Sequence, residues 1–202
     1  MKIGKLEFAG LDIETTGSDI DAGAAIIQIG VYLGGYQAYV SDIMPHQDAV
    51  IVPEAMAVNK ITPERMAAAP TADVVDAQLE QWLISQGVEP RKLTAIGWNV
   101  AGFDIPFVKR YLPKTYKFLS YRTVDLNAVV FTLDPVRGQD RLKKQLKKWT
   151  EEGLDGSPHD ALFDATSALE AWRILVDALA PRVVKFPTGI ADLVAIQNGE
   201  ER

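Results

Sequence analysis

The stretch IGKLEFAGLDIETTG, residues 3–17, decides the fold, because a largely apolar run ends here in two acids, Asp12 and Glu14. Residues 3–13 predict a β-strand, and we place it centrally in a sheet because the run is apolar on both faces. Residues two apart on a strand point to the same face, so Asp12 and Glu14 share one. Two carboxylates this close resist burial. Since residues 6–36 contain no basic side chain, a positive partner must come from far along the chain or from solution.

The rest of the chain carries both strand and helix patterns. Two further β-rich runs, residues 25–33 and 36–43, are separated by Gly34-Gly35, which is typical of an antiparallel hairpin. Two shorter strands are predicted at residues 93–98 and 123–126. Helices are predicted at residues 105–112 and 141–149, as a long helix at 161–179, and after the caps Thr62 and Thr71. This order predicts an α/β protein with a five-stranded mixed sheet flanked by helices. A ribonuclease H-like fold has that arrangement and is one candidate.

Composition limits the class of protein. The 202 residues fit one domain, which we place at residues 1–182, followed by a C-terminal extension or tail at 183–202. The chain has no cysteine, which excludes thiolate metal sites, and no leader or membrane segment is evident, so we expect a soluble cytoplasmic protein. A net charge of −6 argues against a protein that coats nucleic acid by charge alone. It leaves room for an enzyme that meets a polyanion through metal ions and a local basic patch.

Two later stretches add isolated acids. WNVAGFD, residues 98–104, places Asp104 directly after an apolar strand, and HDALFDA, residues 159–165, places Asp164 on a helix with an apolar side. Carboxylate oxygens of this kind are the ligands that Mg²⁺ and Mn²⁺ prefer. A solvated strand end remains the alternative interpretation for the first acidic pair taken alone.

His159 is one of only two histidines, and it precedes Asp164 by five residues. Ser157-Pro158 indicates that a helix begins near this point, so we expect His159 on the preceding loop, from which it can reach over the acids. An imidazole that titrates near neutrality is suited to deprotonating water. The other histidine, His46, lies in a Pro-flanked loop and is interpreted as a surface residue.

These stretches resemble a known family. LDIETTG, WNVAGFD and HDALFDA are similar, in this order, to the three motifs of the DEDD 3′–5′ exonucleases in the branch with a catalytic histidine (DEDDh). That family includes the proofreading subunit of bacterial DNA polymerase III, RNase T and oligoribonuclease. The segments VNKIT, TVDL and RLKKQLKKW also resemble family features, and the likeness extends over about residues 6–177.

The resemblance implies a site and a reaction. It makes His159 the general base of a two-metal-ion hydrolysis that uses Mg²⁺, for which Mn²⁺ can substitute, and releases nucleoside 5′-monophosphates from the 3′ ends of single-stranded DNA. The implied metal ligands are Asp12, Glu14, Asp104 and Asp164. The implied contacts to the terminal nucleotide are Thr15, Ile61, Asn99 and Phe103.

The sequence departs from the family pattern at one place, and two acids lie outside the implied ligand set. Asn59-Lys60 stand where many relatives have His-Gly, which leaves base packing and substrate preference open. Asp125 is either a structural acid that bonds neighbouring backbone or a further metal contact. Asp160 is interpreted as a first-turn helix acid.

The segment 137–148 is strongly basic. As a helix it predicts a buried stripe formed by Leu142, Leu146 and Trp149. The basic side chains predicted to face outward are Arg141, Lys143, Lys144, Lys147 and Lys148. They form either a solvated surface or a track for the backbone of a single strand.

Three alternatives stay open at this point. The same catalytic groups would serve an exoribonuclease or oligoribonuclease that trims RNA 3′ ends, because that choice depends on whether the pocket accepts a 2′-hydroxyl. A nuclease fold retained only for binding would normally have lost one of the five site residues, and all are present. The nuclease could also serve a DNA polymerase bound in trans, with IADLVAIQ, residues 190–197, as a docking tail or a last helix.

Overall fold

The computed structural model describes residues 2–3, 6–137, 141–152, 154 and 156–179. The strands are β1 (Lys2–Ile3), β2 (Leu6–Thr15), β3 (Ile26–Gly34), β4 (Gln37–Asp42), β5 (Leu93–Gly97) and β6 (Leu119–Asp125). The helices are α1 (Pro53–Asn59), α2 (Pro63–Ala68), α3 (Ala72–Ser85), α4 (Asp104–Tyr111), α5 (Pro113–Tyr116), α6 (Leu126–Leu133), α7 (Lys143–Glu151) and α8 (Ala161–Leu179).

The strands form one mixed sheet in the order β4-β3-β2-β5-β6. Strands β2, β3 and β4 pair antiparallel, whereas β5 and β6 run parallel to β2, and the short β1 folds back antiparallel onto the start of β2. The prediction of a five-stranded mixed sheet with a ribonuclease H-like topology and a central first strand is confirmed. The predicted run at residues 3–13 corresponds to two strands in the structure. The second, β2, is the central strand, and the first, β1, is two residues long and pairs with the start of β2.

The helices differ more from their predictions than the strands do. Helix α8 has the predicted bounds, and α2 begins as predicted, with the Thr62 side chain accepting a hydrogen bond from the backbone N–H of Arg65 at 3.2 Å. Among the residues that the structure describes, three helices were missed: α1, the four-residue α5, and α6. Helix α6 follows β6 without a loop, and Asp125 caps it by accepting from the N–H of Asn127 at 3.0 Å.

One face of the sheet carries the main hydrophobic core. Residues of β2 and β3 that alternate toward this face, such as Leu11 and Ile29, are 1% and 0% exposed. They cluster with Val75 and Leu79 of α3 and with Phe107 of α4. This core fixes β2 in the centre of the sheet and α4 against its end, which positions the side chains described below.

The other face of β2 and β3 packs against α8 at two glycines. A Cβ atom on Gly10 would lie 1.8 Å from the carbonyl oxygen of Ala165, and one on Gly30 would lie 2.3 Å from that of Ala161. The helix therefore approaches the sheet more closely than any side chain on these two residues would permit. Because residues alternate along a strand, Asp12 lies on the same face as Gly10, and it pairs with Gly30 in the ladder.

The chain divides into two units after Trp172, and only residues 173–179 of the second unit are described. The predicted tail at 183–202, including the possible docking segment 190–197, lies outside the described residues. Within the described part of the chain, none of the helices combines the length and the hydrophobicity that a membrane crossing requires.

Replacing Gly10 with alanine should force α8 away from β2. We expect Gly10→Ala to lower the free energy of unfolding by about 1–3 kcal/mol or more, which is the usual range for an overpacked core. For a chain of this size, each kcal/mol lowers Tm by about 2–4 °C. Thermal unfolding measures this effect, with Ser18→Ala at an exposed loop position as the control. An unchanged Tm for Gly10→Ala would contradict the close approach of α8.

Candidate active site

The five residues predicted to carry the chemistry come from four segments of the chain. Asp12 and Glu14 lie near the end of β2, and Asp104 is the first residue of α4, beyond the end of β5. Asp164 lies in the first turn of α8, and His159 occupies the turn that precedes this helix. Asp104 and Asp164 are 3% and 8% exposed, whereas His159 is exposed. The structure brings the four acids together at one end of the sheet.

The carboxylates interact strongly with one another. Burial, followed by the charges of Asp104, Asp164 and Glu14, raises the pKa of Asp12 well above its ordinary value. Burial, followed by the charges of Asp164, Asp104 and Asp160, raises the pKa of Glu14 to about 8. The ionised acids therefore repel each other, and at neutral pH the metal-free site retains protons.

Backbone donors offset part of this repulsion at Asp104. Burial raises the pKa of Asp104 to about 8, but its carboxylate also accepts a hydrogen bond from the backbone N–H of Ile13 at 3.1 Å, which acts in the opposite direction. This bond attaches the start of α4 to β2 between the two acids of the strand. It fixes the position of Asp104 relative to Asp12 and Glu14.

The His159 turn is anchored in a similar way. The backbone N–H of His159 donates to Oδ2 of Asp164 at 2.8 Å, and His159 adopts a left-handed conformation with φ of 67°. Its ring therefore stands beside the acids and remains open to solvent. The sequence interpretation, in which His159 lies on the segment before the helix and reaches the site, agrees with this geometry.

Three of these residues form a group that could hold a metal ion. One ligand atom each from Glu14, His159 and Asp164 lies within 4.8 Å of the other two. Asp12 and Asp104 adjoin this group through the charge interactions described above. Carboxylate and imidazole donors together suit a divalent cation. The imidazole could serve here either as a ligand or as a base.

The residues predicted to contact the terminal nucleotide differ in exposure. Thr15 and Ile61 are 6% and 3% exposed, and Ile61 packs with Ile27 and Met66. Asn99 is exposed, with a left-handed φ of 68°. The fourth residue, Phe103, is half-buried, and its ring centroid lies 5.2 Å from that of Phe107. Their contacts with a nucleotide stay predictions.

Asn59 and Lys60, which depart from the family pattern, have a structural role. The Asn59 side chain donates to the carbonyl oxygen of Thr15 at 3.1 Å and accepts from the N–H of Ile61 at 3.0 Å. Lys60 adopts φ of 59° and ends α1 in the left-handed conformation in which glycine is common. The segment after α1 is thus attached to the end of β2 beside Glu14.

Two acids outside the predicted ligand set have structural partners. Asp125 accepts from the N–H of Asn99 at 3.2 Å and from that of Asn127 at 3.0 Å, which agrees with the structural interpretation. Asp160 lies before α8 rather than in its first turn, and its carboxylate accepts from the N–H of Leu162 at 3.2 Å. It is therefore an N-cap residue.

Sequence reasoning missed a buried amide next to the acids. Gln28 pairs with Glu14 in the ladder and is 1% exposed. It accepts from the N–H of Ala161 at 2.8 Å and donates to Asp42 at 2.9 Å, and Asp42 also binds the guanidinium of Arg65. Gln28 thereby holds the start of α8 beside Glu14. Its signal in the sequence is a single polar amide within the apolar alternation of residues 25–33.

The predicted faces of the basic helix are partly wrong. Leu146 is buried, but Trp149 is 53% exposed, and Lys143 and Lys147 are half-buried instead of pointing outward. Both ammonium groups lie near the ring of Trp98, at 4.9 and 6.0 Å from its centroid. The helix is thus rotated relative to the predicted stripe, and two lysines lie against Trp98 on the face that the sequence pattern assigned to solvent.

Comparisons with known proteins identify the family of the chain. The family model described as Exonuclease (RNase_T) matches residues 10–172, which is most of the chain. The chain therefore belongs to this exonuclease family, and the resemblance to DEDDh-type exonucleases is confirmed at the level of the family. No curated protein sequence is significantly similar to the chain.

Several solved structures share the fold. Cell-death related nuclease 4 (CRN-4) has a TM-score of 0.64 and 18% identity, over 86% of this chain and 65% of its own. The zinc-bound complex of Escherichia coli exonuclease I with single-stranded DNA has a TM-score of 0.65 and 22% identity, over 88% of this chain and 42% of its own. The nuclease domain of the DEDDh family member 3′hExo, bound to rAMP, has a TM-score of 0.57 and 17% identity, over 88% of this chain and 95% of its own. The chain thus spans less than two thirds of the length of the first two proteins. At these identities the likeness shows the fold alone.

Neutralising Glu14 should stabilise the metal-free protein at high pH. The ordinary pKa of a glutamate is 4.5, whereas the pKa of Glu14 in the folded chain is about 8. As the pH rises, the unfolded chain therefore loses this proton before the folded chain does. The contribution of Glu14 to stability is present below pH 4.5 and is lost as the pH rises through 8. In EDTA, we therefore expect the Tm of Glu14→Gln to exceed that of the wild type increasingly between about pH 5 and pH 9.

The matched control for this experiment is Glu89→Gln, at an exposed loop position. Its Tm should follow the wild type at every pH. A Glu14→Gln variant whose Tm also follows the wild type would show that the carboxylate does not face the other acids.

Proposed function

We propose that the protein is a metal-dependent 3′–5′ exonuclease that releases nucleoside 5′-monophosphates from the ends of single-stranded DNA. The observation that carries this proposal is the convergence of four carboxylates, with the pKa of two of them raised to about 8. Such a group is unfavourable to folding and is found where chemistry requires it. Membership of the exonuclease family supports the same conclusion.

The donor set fits divalent cations. Bound positive charge would offset the mutual repulsion of the four acids and would favour their ionised forms. These acids are Asp12, Glu14, Asp104 and Asp164. These four residues would hold two Mg²⁺ ions, with Mn²⁺ as a substitute. When bound, the ions would supply charge stabilisation for the phosphodiester and for the attacking and leaving oxygens.

His159 has the geometry of a general base. Its ring is exposed, and one of its ring nitrogens lies within 4.8 Å of ligand atoms of Glu14 and Asp164. A water molecule that attacks the last phosphodiester would lose its proton to this nitrogen. The hydrogen bond from the His159 N–H to Asp164 keeps the imidazole over the acids during this step.

The main alternative is an exoribonuclease or oligoribonuclease that trims RNA 3′ ends. The catalytic residues would be identical, and the similar structures include both a complex with single-stranded DNA and one with rAMP. We favour DNA, although Asn59-Lys60 do not decide between the sugars. A catalytically idle binding module is a minor alternative, because all five site residues are present.

Three further predictions from the sequence belong to this proposal. The exonuclease domain would span residues 1–182, and the protein would act in the cytoplasm. It would serve a DNA polymerase in trans, with residues 190–197 as a docking tail. Co-purification with a polymerase would test the last of these.

Replacing His159 with alanine should separate chemistry from binding. Loss of a general base typically reduces turnover by about 10²–10⁴-fold. We expect this loss in His159→Ala, with Mn²⁺ affinity, measured by calorimetry, close to that of the wild type. The matched control is His46→Ala, since His46 is exposed and stacks on Tyr111. Turnover near the wild-type rate would remove His159 from the mechanism, and a large loss of Mn²⁺ affinity would make it a ligand.

A digestion series tests the reaction and the substrate together. End-labelled single-stranded and double-stranded DNA and RNA would be incubated with Mg²⁺, Mn²⁺ or EDTA. We expect stepwise release of mononucleotides from the 3′ end of single-stranded DNA with either metal, slower digestion of RNA, and none in EDTA or with Asp12→Asn. Faster digestion of RNA would favour the alternative, and cleavage in EDTA would overturn the metal-dependent mechanism.

A further inference from the structure

Trp98 lies next to the acidic site by virtue of strand register. Gly10 of β2 pairs with Ile96 of the parallel strand β5. Two residues further on are Asp12, which is still in β2, and Trp98, which is the first residue after β5. Trp98 is half-buried, and its Nε1 atom is fully buried without a hydrogen-bond partner in the described part of the chain. The ring is therefore held in place by packing at the end of β5, beside the carboxylates.

Two lysines from α7 meet at this ring. The ammonium groups of Lys143 and Lys147 lie 4.9 and 6.0 Å from the centroid of Trp98, and both side chains are half-buried. The intervening Lys144 and the following Lys148 are exposed. The two inward lysines are therefore a distinct pair, four residues apart on one face of the helix.

The two lysines have different surroundings. Lys143 donates to Oδ1 of Asn127 at 2.8 Å, and burial, together with the nearby charge of Lys147, lowers its pKa. Lys147 lies 6.0 Å from the centroid of the Trp98 ring, and Trp98 is placed beside Asp12 by the register of β2 and β5. Lys147 thus brings a positive charge from far along the chain to the side of the site where Asp12 lies.

Two ammonium groups that repel each other beside an anionic site form a natural place for a polyanion. Phosphate is bound by lysine as a point charge, and a lysine near an aromatic ring can follow the backbone of a strand whose bases stack on the ring. Divalent cations would neutralise the acids, so Lys147 would then be free to contact the substrate. Lys143, which is already bonded to Asn127, would keep Lys147 on the side of the site.

We propose that Lys147 binds a phosphate group of the nucleic acid backbone beside the four carboxylates, with Trp98 and Lys143 as its positioning residues. This inference rests on the proposed nuclease function and adds to it a substrate contact that none of the three acidic motifs contains. Lys147 would bind the phosphate adjacent to the one that is cleaved or the cleaved phosphate itself, and its role is to hold the strand in place.

The test uses a variant that keeps the packing and removes the charge. Lys147→Met retains an unbranched stem against Trp98, and Lys147→Arg retains the charge. The matched control is Lys109→Met, because Lys109, in the last turn of α4, makes the same kind of contact with Tyr116 at 5.9 Å. The full chain would be titrated with a labelled dT5 oligonucleotide whose terminal linkage is an uncleavable methylphosphonate, and with one whose methylphosphonate lies at the next linkage, in Ca²⁺.

We expect Lys147→Met to weaken binding of the oligonucleotide by about tenfold, as for one charged hydrogen bond, and to reduce the salt dependence by about one phosphate contact. The loss should disappear for the oligonucleotide in which the contacted phosphate is the neutral one. Lys147→Arg should restore binding, and Lys109→Met should leave it unchanged. Equal affinity of Lys147→Met and the wild type for both oligonucleotides would overturn the proposal.

The affinity for metal gives an independent test, in which Lys147→Met should bind more tightly, whereas it should bind the oligonucleotide more weakly. Removing a cation near Asp12 should tighten binding of Mn²⁺ in the absence of nucleic acid, because the carboxylates lose a competing positive charge. If Lys147 only packed α7 against Trp98, Lys147→Met, which keeps that packing, would bind Mn²⁺ no more tightly than the wild type, which would overturn the proposal. A wild-type protein that neither binds nor digests any oligonucleotide would instead refute the proposed function itself.

Discussion

The structure depends on the contact between α8 and the two central strands at Gly10 and Gly30. A methyl group at either position would overlap the helix backbone, and the helix meets the strands with small residues, among them Ala161 and Ala165, which are fully buried. Gly30 is the ladder partner of Asp12, so the place where the helix comes closest is also the place where the first acid lies. Asp164, one turn into α8, is thereby brought to the two acids of β2. A helix at ordinary distance from the sheet would leave these carboxylates apart.

The clustering of the four acids is unfavourable electrostatically. Backbone N–H groups and a lysine from far along the chain offset part of this cost. The N–H groups of Ile13 and His159 donate to Asp104 and Asp164, and Lys147 supplies positive charge near Asp12. These contributions are not sufficient, because the pKa of Glu14 and that of Asp104 still rise to about 8. The apolar core on the opposite face of the sheet carries the stability that the site lacks. Such a conflict between local electrostatics and the rest of the fold is characteristic of functional sites.

The sequence predicts the parts of the fold that depend on local patterns, and misses those that depend on a distant partner. The strand alternation at residues 25–33 and the apolar side of α8 are local, and both elements have nearly the predicted bounds. The acids are also visible, because a carboxylate is unusual at the end of an apolar strand. Gln28 is visible as a polar amide in an apolar alternation, but its role is not, since its partners Ala161 and Asp42 are 133 and 14 residues away along the chain. The predicted outward positions of Lys143 and Lys147 on α7 are wrong for the same reason, because Trp98, against which they lie, is far away along the chain.

Substrate choice must come from the groups that the site leaves accessible. Among the four residues predicted to meet the terminal nucleotide, Thr15 and Ile61 are buried, and Asn59 occupies the carbonyl oxygen of the first and the N–H of the second. A bound sugar can therefore compete only for groups that remain open to solvent. Asn99 is exposed in a left-handed conformation that turns the chain after β5, with its backbone N–H engaged by Asp125, so its side-chain amide is the accessible polar group. An amide can donate to or accept from a 2′-hydroxyl. For the exonuclease proposed above, we therefore expect Asn99, rather than the altered Asn59-Lys60 pair, to distinguish the two sugars.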